Sequence, residues 1–479
     1  MTKILVKIVL FIILILVASW AIEPYFIKED RFNYPKYKFE KLADITNFGI
    51  LFFGSSKSYC AYNPTIFKYN LGANSFNLAG QGQVLEVTDF IIEEALKLNK
   101  PKLILVDLSY AMIRFQEDQP DIDRKKSYQL KIFDNYRYST NKIKHLANIF
   151  DGKDLFYSLS PIIRNHDFWM DIPKQKYKLN YLHDKNNMFL ANNGYIGTMH
   201  KMSKEGIELA NEIDLGYEVL KNRRNLTVDS KELDSISKIY EYATKRDVKV
   251  LFITSPSIEG MTKHLSFYED LEDHLNNLGI DYLNLNKSFK EIGLQLSDFK
   301  DHQHLNFYGG QKTSQFVSNY LSNNYSFDSN SNRNLLDNNV TFNLLSDLVH
   351  TNKVLTKQFE FNEKLKVDEI GYFEENLNQF VFVFRFGSET SKNTLSDFRG
   401  YIRYYNGEIN EENKQVHSFP VETIEMNNQT YAFARVLIEN PSVSRFDVFF
   451  IHKKTNKPTK FLKLKNVSLK AYDLNRELF

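Results

Sequence analysis

The stretch that most constrains this chain is a run of four large apolar residues, Ile50-Leu-Phe-Phe53, that stops at Gly54 and is followed by Ser55, Ser56 and Lys57. Unbroken apolar character over so short a length belongs to a strand buried on both faces, the usual condition of a parallel sheet. Comparable runs follow at Ser75 to Ala79, Lys102 to Leu108, Val248 to Thr254 and Ile280 to Leu285. Between them lie segments of helical periodicity. Val84 to Leu98 has apolar residues at Val84, Val87, Phe90, Ile91, Ala95 and Leu96, and Glu269 to Leu278 is stopped by Gly279. Asp229 with Glu232 three residues on predicts a capping box and a helix to about Lys245. This alternation predicts an α/β domain on a parallel sheet. In such sheets ligands bind outside the carboxyl ends of the strands, where Ser55 and Ser56 fall. A serine there is either a nucleophile or a helix cap.

The first 22 residues carry the topological signal. Lys3 and Lys7 precede an uncharged run from Ile8 to Ala21, the apolar stretch continues to Ile22, and Glu23 follows directly. Positive charge before the apolar run favours an N-terminus in the cytoplasm and a body outside it. Residues 1–22 are expected to be an uncleaved signal anchor, since the stretch approaches the ~20 residues that span a bilayer; a signal peptide cut after Ser19-Trp-Ala21 is the competing reading. The formal net charge of +2 gives no reason to expect a nucleic-acid partner. With Cys60 the single cysteine, an internal disulfide and a Cys-based zinc cluster are both excluded.

The domain boundaries expected from composition are a membrane-proximal linker at 23–47, an α/β domain at 48–321 with an insertion at 111–226, a linker at 322–339 and a β domain at 340–479. The insertion is rich in Tyr, Asn, Lys and Asp, with helical pieces expected at 138–150 and 204–220. The second linker is dense in Asn and Ser. Beyond it, alternating β-type runs such as Gln379 to Phe384, Tyr401 to Tyr405, Tyr431 to Leu437 and Phe446 to Ile451 predict an antiparallel β-sandwich. No internal repeat is evident.

Three pieces fall at carboxyl ends of the expected strands: Gly54-Ser55-Ser56, Asn77 to Gly82, and Asp301-His-Gln-His304. A serine hydroxyl needs a positioned base, which His304 can supply, and Asp301 can orient the imidazole. A zinc site from Asp301, His302 and His304 lacks a convincing further ligand and is disfavoured. Neither a metal nor a cofactor is expected.

In order and spacing these blocks resemble the SGNH (GDSL-like) hydrolase superfamily over roughly Phe48 to Tyr320. The resemblance implies a three-layer, flavodoxin-like domain. It makes Ser56 the nucleophile, with Ser55 at the position where the family has aspartate, His304 the base and Asp301 its partner. It implies an oxyanion hole from the Ser56 backbone N–H and Gly82, with Gly80 second. The family's third block, an asparagine donor, has no match: its expected place reads Val106-Asp107-Leu-Ser109-Tyr110, and an ionised Asp107 donates no hydrogen bond. The Gly-Ser-Ser block, the N-terminal anchor and the long insertion look like the extracytoplasmic DltD/AlgX-type acyltransferases. That resemblance implies a membrane-held O-acyltransferase or esterase acting on a cell-surface glycan or cell-wall polymer, in some cases beside a membrane-bound O-acyltransferase. A glycan deacetylase and a non-catalytic glycan-binding assembly protein, with the β-sandwich as a carbohydrate-binding part, are the alternatives.

Overall fold

The computed structural model describes residues 2–27, 38, 48–113, 122–136, 138–166, 193–197, 202, 226–228, 230–327 and 353–468, less 377–378, 391, 406–407, 421, 427–428 and 439–441. The expected helix at 204–220, Asp229 of the capping box, and most of both linkers lie outside the described residues. By its internal contacts the chain divides into two compact units, the first running to Arg333 and the second starting at Asn334, with 185–191 counted in the second.

Helix α1 is Thr2–Ile22. Its described apolar side chains, among them Ile4, Leu5, Leu10, Phe11 and Leu14, are exposed. Counting only described residues, no helix is long and apolar enough to cross a membrane.

The first unit is built on strand β1 (Ile50–Gly54), whose five residues are all buried. In chain order follow helix α2 (Ser56–Ala61), α3 (Pro64–Leu71), β2 (Ser75–Asn77), α4 (Leu85–Leu98) and β3 (Leu103–Asp107). Within the insertion come α5 (Ile122–Phe133) and α6 (Thr140–Ile149), then the short helices Gly152–Ser158 and Pro161–Arg164, with no strand among the described residues. The main path resumes with α7 (Ser230–Thr244), β4 (Lys249–Thr254), α8 (Leu265–Asn277), β5 (Tyr282–Asn284) and α9 (Phe307–Asn324).

The five strands pair in parallel in the order β2-β1-β3-β4-β5, the flavodoxin-like order that places its switch point between β1 and β3. Alternate residues of β1 serve opposite faces. Leu51 and Phe53 join a core with Ile104, Val106, Phe252 and the helix residues Phe90, Phe133, Leu146, Ile239 and Leu271. Ile50 and Phe52 join the other core, with Leu105, Ile253, Tyr62, Phe67, Val317 and Leu321. The domain is therefore three-layered. Register sets Gly54 opposite Asp107 at the carboxyl edge.

The second strand stops at Asn77 rather than at Ala79 because the Asn77 side chain turns the chain: its Oδ1 accepts the Ala79 N–H at 3.1 Å.

Among the described residues the second unit holds nine strands: β6 (Lys353–Asn362), β7 (Leu365–Asn376), β8 (Gln379–Phe386), β9 (Phe398–Tyr405), β10 (Lys414–Pro420), β11 (Glu422–Met426), β12 (Gln429–Leu437), β13 (Ser442–His452) and β14 (Leu462–Ser468). They form two antiparallel sheets, β11-β12-β8-β7-β6 and β10-β9-β13-β14. Inward residues of both sheets share one aromatic-rich core, where Phe382 meets Phe446 at 4.9 Å between ring centroids. This is a β-sandwich.

Candidate active site

The site starts from the geometry of Gly54. Its φ is +141°, and a Cβ there would lie 2.9 Å from the Asp107 carbonyl oxygen and 3.1 Å from the Ser58 side chain. Only glycine lets the chain pass so close to β3 and turn at once into α2. Ser55 occupies the N-cap position of α2 but makes no side-chain cap bond, and its hydroxyl lies 3.3 Å from that of Ser109. Ser56 is the first helical residue.

Ser56 Oγ lies 2.7 Å from His304 Nε2. On the far side of the ring, His304 Nδ1 lies 2.9 Å and 3.0 Å from the two Asp301 carboxylate oxygens. Asp301 Oδ1 also accepts the backbone N–H groups of Gln303 and His304, at 2.8 and 2.9 Å. A carboxylate facing Nδ1 holds the proton there, leaving the Nε2 lone pair toward the serine. The three side chains thus form a continuous serine–histidine–carboxylate chain.

The charges suit that arrangement. Burial alone would raise the Asp301 pKa, but the hydrogen bond and charge of His304, the Gln303 N–H and nearby Lys300 hold it well below the usual carboxylate range. His304 is pushed below its ordinary value by burial, which outweighs the hydrogen bond and charge of Asp301; Lys300 and Lys57 push the same way. The ring is neutral at physiological pH and able to accept a proton.

The expected oxyanion residues separate. Gly80 donates its N–H to the Gly54 carbonyl at 3.0 Å, so that donor is committed to the turn. Gly82 has φ +60°, and its carbonyl accepts from Gln129 Nε2 at 2.7 Å. The backbone N–H of Ser56 sits in the first turn of α2, where intrahelical partners are lacking. Asp107 ties β3 to β4 instead of facing an oxyanion. Its Oδ1 accepts the Ser255 N–H at 3.1 Å, its Oδ2 meets the Ser255 hydroxyl, and burial pushes its pKa up to about 6.

Two supporting roles are not evident from the sequence. Asn77, fully buried, donates to the carbonyls of Ser58 and Tyr62 at 3.1 and 3.2 Å and braces the end of α2. Lys57 is buried and donates to Ser257 Oγ at 3.1 Å. Burial lowers its pKa, while the charges of Glu259, Asp107 and Asp301 raise it. Glu259 in turn accepts from Gln303 Nε2 at 2.7 Å, and its N–H bonds the His302 carbonyl at 2.9 Å. A polar chain from Lys57 through the Ser257–Glu259 segment thereby fixes the loop that carries Asp301 and His304. The only sequence signal is a lysine placed directly after Ser56 in an otherwise buried segment.

No family model matches the chain, and no curated protein does. Among solved structures it is similar to a Bacteroides fragilis protein described provisionally as an acylhydrolase, with 11% identity and a TM-score of 0.30 over 62% of this chain and 99% of that one. A likeness of that size carries no argument about activity or substrate.

Proposed function

We propose that the protein is an exported serine acyltransferase of the SGNH type, held at the membrane by α1, that moves an acyl group onto a cell-surface glycan or cell-wall polymer. The observation that carries this reading is the Ser56–His304–Asp301 chain at the carboxyl edge of the parallel sheet. Ser56 Oγ attacks the acyl carbonyl as His304 takes its proton, and Asp301 stabilises the imidazolium. The Ser56 backbone N–H and Gly82 are proposed to hold the oxyanion. Collapse of the intermediate returns the proton to the leaving group and leaves an acyl-Ser56. A sugar hydroxyl, deprotonated by His304, then takes the acyl group.

Export is supported by Lys3 and Lys7 in the first two turns of a 21-residue helix whose described apolar side chains are exposed. A partner of the membrane-bound O-acyltransferase kind, supplying acyl groups through the membrane, is part of the same proposal. Transfer is preferred over hydrolysis on the anchor and on the Gly54-Ser55-Ser56 resemblance.

The second reading, a deacetylase or esterase, uses the same triad with water as the acceptor. Purified protein given acylated glycan separates the two: release of free acid without dependence on an acceptor sugar assigns the esterase. Ser56→Ala is expected to abolish both polymer acylation and labelling by a fluorophosphonate. Wild-type acylation in that variant would sink the catalytic reading. Failure of the wild-type protein to label, with glycan binding retained, would assign a non-catalytic assembly role.

A further inference from the structure

No metal is expected from the sequence, and the active-site loop offers no place for one: His304 is engaged on both ring nitrogens by Ser56 and Asp301. A different grouping stands where the insertion packs on the sheet domain. Asp89 and Glu93 are four residues apart on α4 and so share one face of that helix. His145, from α6, faces them, and one ligand atom from each of the three lies within 4.8 Å of the others.

His145 makes the grouping more than an acidic patch. It is 1% exposed, and its Nε2 has no hydrogen-bond partner. That nitrogen stands 3.5 Å from Glu93 Oε2. The ring also lies within reach of both the Glu86 backbone carbonyl and the Glu93 carboxylate. Phe90 packs beside it at 5.5 Å between ring centroids. With its proton on Nδ1 the neutral ring presents a lone pair at Nε2, and Nε2 is the nitrogen that faces the Glu93 carboxylate. A lone pair facing carboxylates in a buried setting repels them unless a proton or a metal cation lies between, and a metal cation would use all three groups as ligands. A hydrogen bond from the other ring nitrogen to a backbone carbonyl orients histidine ligands in metal sites. Lys144 compensates part of the charge, 3.8 Å from the other Glu93 oxygen, but it is largely exposed.

We propose that Asp89, Glu93 and His145 bind one divalent transition-metal ion of the zinc class, which clips helix α6 of the insertion onto helix α4. An imidazole among the ligands disfavours magnesium and calcium, and the lack of thiolate disfavours the softest ions. Three protein ligands leave a fourth position for water. The role is structural: in a chain with one buried cysteine and no disulfide, a metal is the strong tie still open to an inserted segment. The neighbouring bond from Asn141 Nδ2 to Glu94 Oε1, 2.8 Å, crosses the same helix pair and sets the approach.

The test uses the full chain in detergent, stripped with a chelator and dialysed against zinc, manganese or magnesium. Wild-type protein is expected to retain about one zinc per chain after gel filtration and to unfold at a higher temperature with zinc than with magnesium. Asp89→Asn and Glu93→Gln keep side-chain size and are expected to weaken zinc binding by at least about tenfold. His145→Gln serves as a third variant if it folds. Cobalt exchanged into the wild-type site should show the visible bands of a four-coordinate ion, lost in Glu93→Gln. Zinc retention by both carboxylate variants at the wild-type level would overturn the site. So would a wild-type protein that keeps no zinc and whose melting temperature ignores it; that result would assign the grouping to a His145–Glu93 ion pair.

Discussion

At the scale of single residues, the site depends on which protonation states coexist. His304 titrates below the ordinary imidazole value of 6.5, chiefly through burial. A base with a lowered pKa is fully neutral above that value and loses its function only as pH falls through it. Fluorophosphonate labelling of Ser56 should therefore be flat from pH 7 upward, with its acidic limb below 6.5; a limb centred above 7 would contradict the environment of His304. Asp301→Asn should keep the fold but present the wrong tautomer to Ser56, with a rate loss on the order of 10^3–10^4. Single-turnover acylation kinetics, rather than binding, would read it. Gly54→Ala forces a side chain at φ +141° against the Asp107 carbonyl. About 1–3 kcal/mol of stability should be lost in urea unfolding, with labelling reduced because α2 begins at that turn. A serine after Gly54 and the Asp301–His304 pair were legible in residue type and spacing, whereas the choice of Ser56 over Ser55 came from the SGNH resemblance. Lys57 was not legible: a lysine reads as a surface residue until its neighbours are known, and burial here follows from the Ser257–Glu259 segment 200 residues on.

At the scale of elements, the nucleophile rests on a helix of six residues, far too short to persist by itself. Asn77 holds its far end through the Ser58 and Tyr62 carbonyls. Asn77→Ala would leave both carbonyls unpaired in a buried place and should cost about 1–3 kcal/mol, measured by denaturant midpoint against the exposed control Asn276→Ala. The central strand β3 is buried throughout. Leu105→Ala, with Leu105 fully buried in the core shared with α3 and α9, should cost about 2–5 kcal/mol. The elements themselves were readable, since continuous apolar runs mark buried strands and Gly or Pro punctuates them. Their ends were less so. Whether β2 continues past Asn77 depends on a side-chain turn that competes with strand pairing, and periodicity carries no information about that choice.

At the scale of the whole molecule, each unit has a core of its own, with the parallel sheet in one and the aromatic sandwich in the other. A chain of residues 1–333 should still unfold cooperatively and label at Ser56, and residues 334–479 alone should give a β-type circular dichroism spectrum. Loss of Ser56 labelling in the shorter chain would mean that the sandwich supports the site. Alternation of apolar runs with helical segments, an aromatic β-rich C-terminal part, and a lysine-led apolar N-terminus are local patterns, and composition and period by themselves determined the α/β class and the sandwich. The tertiary structure alone decided which distant groups meet. The hydrogen bond from Ser56 to His304 spans 248 positions in the chain, Gly80 loses its free N–H to Gly54, and His145 comes to face Asp89 and Glu93. The physical reason is range: secondary structure follows from neighbours within a few residues, whereas burial, tautomer and charge depend on whatever the packed sheet brings alongside.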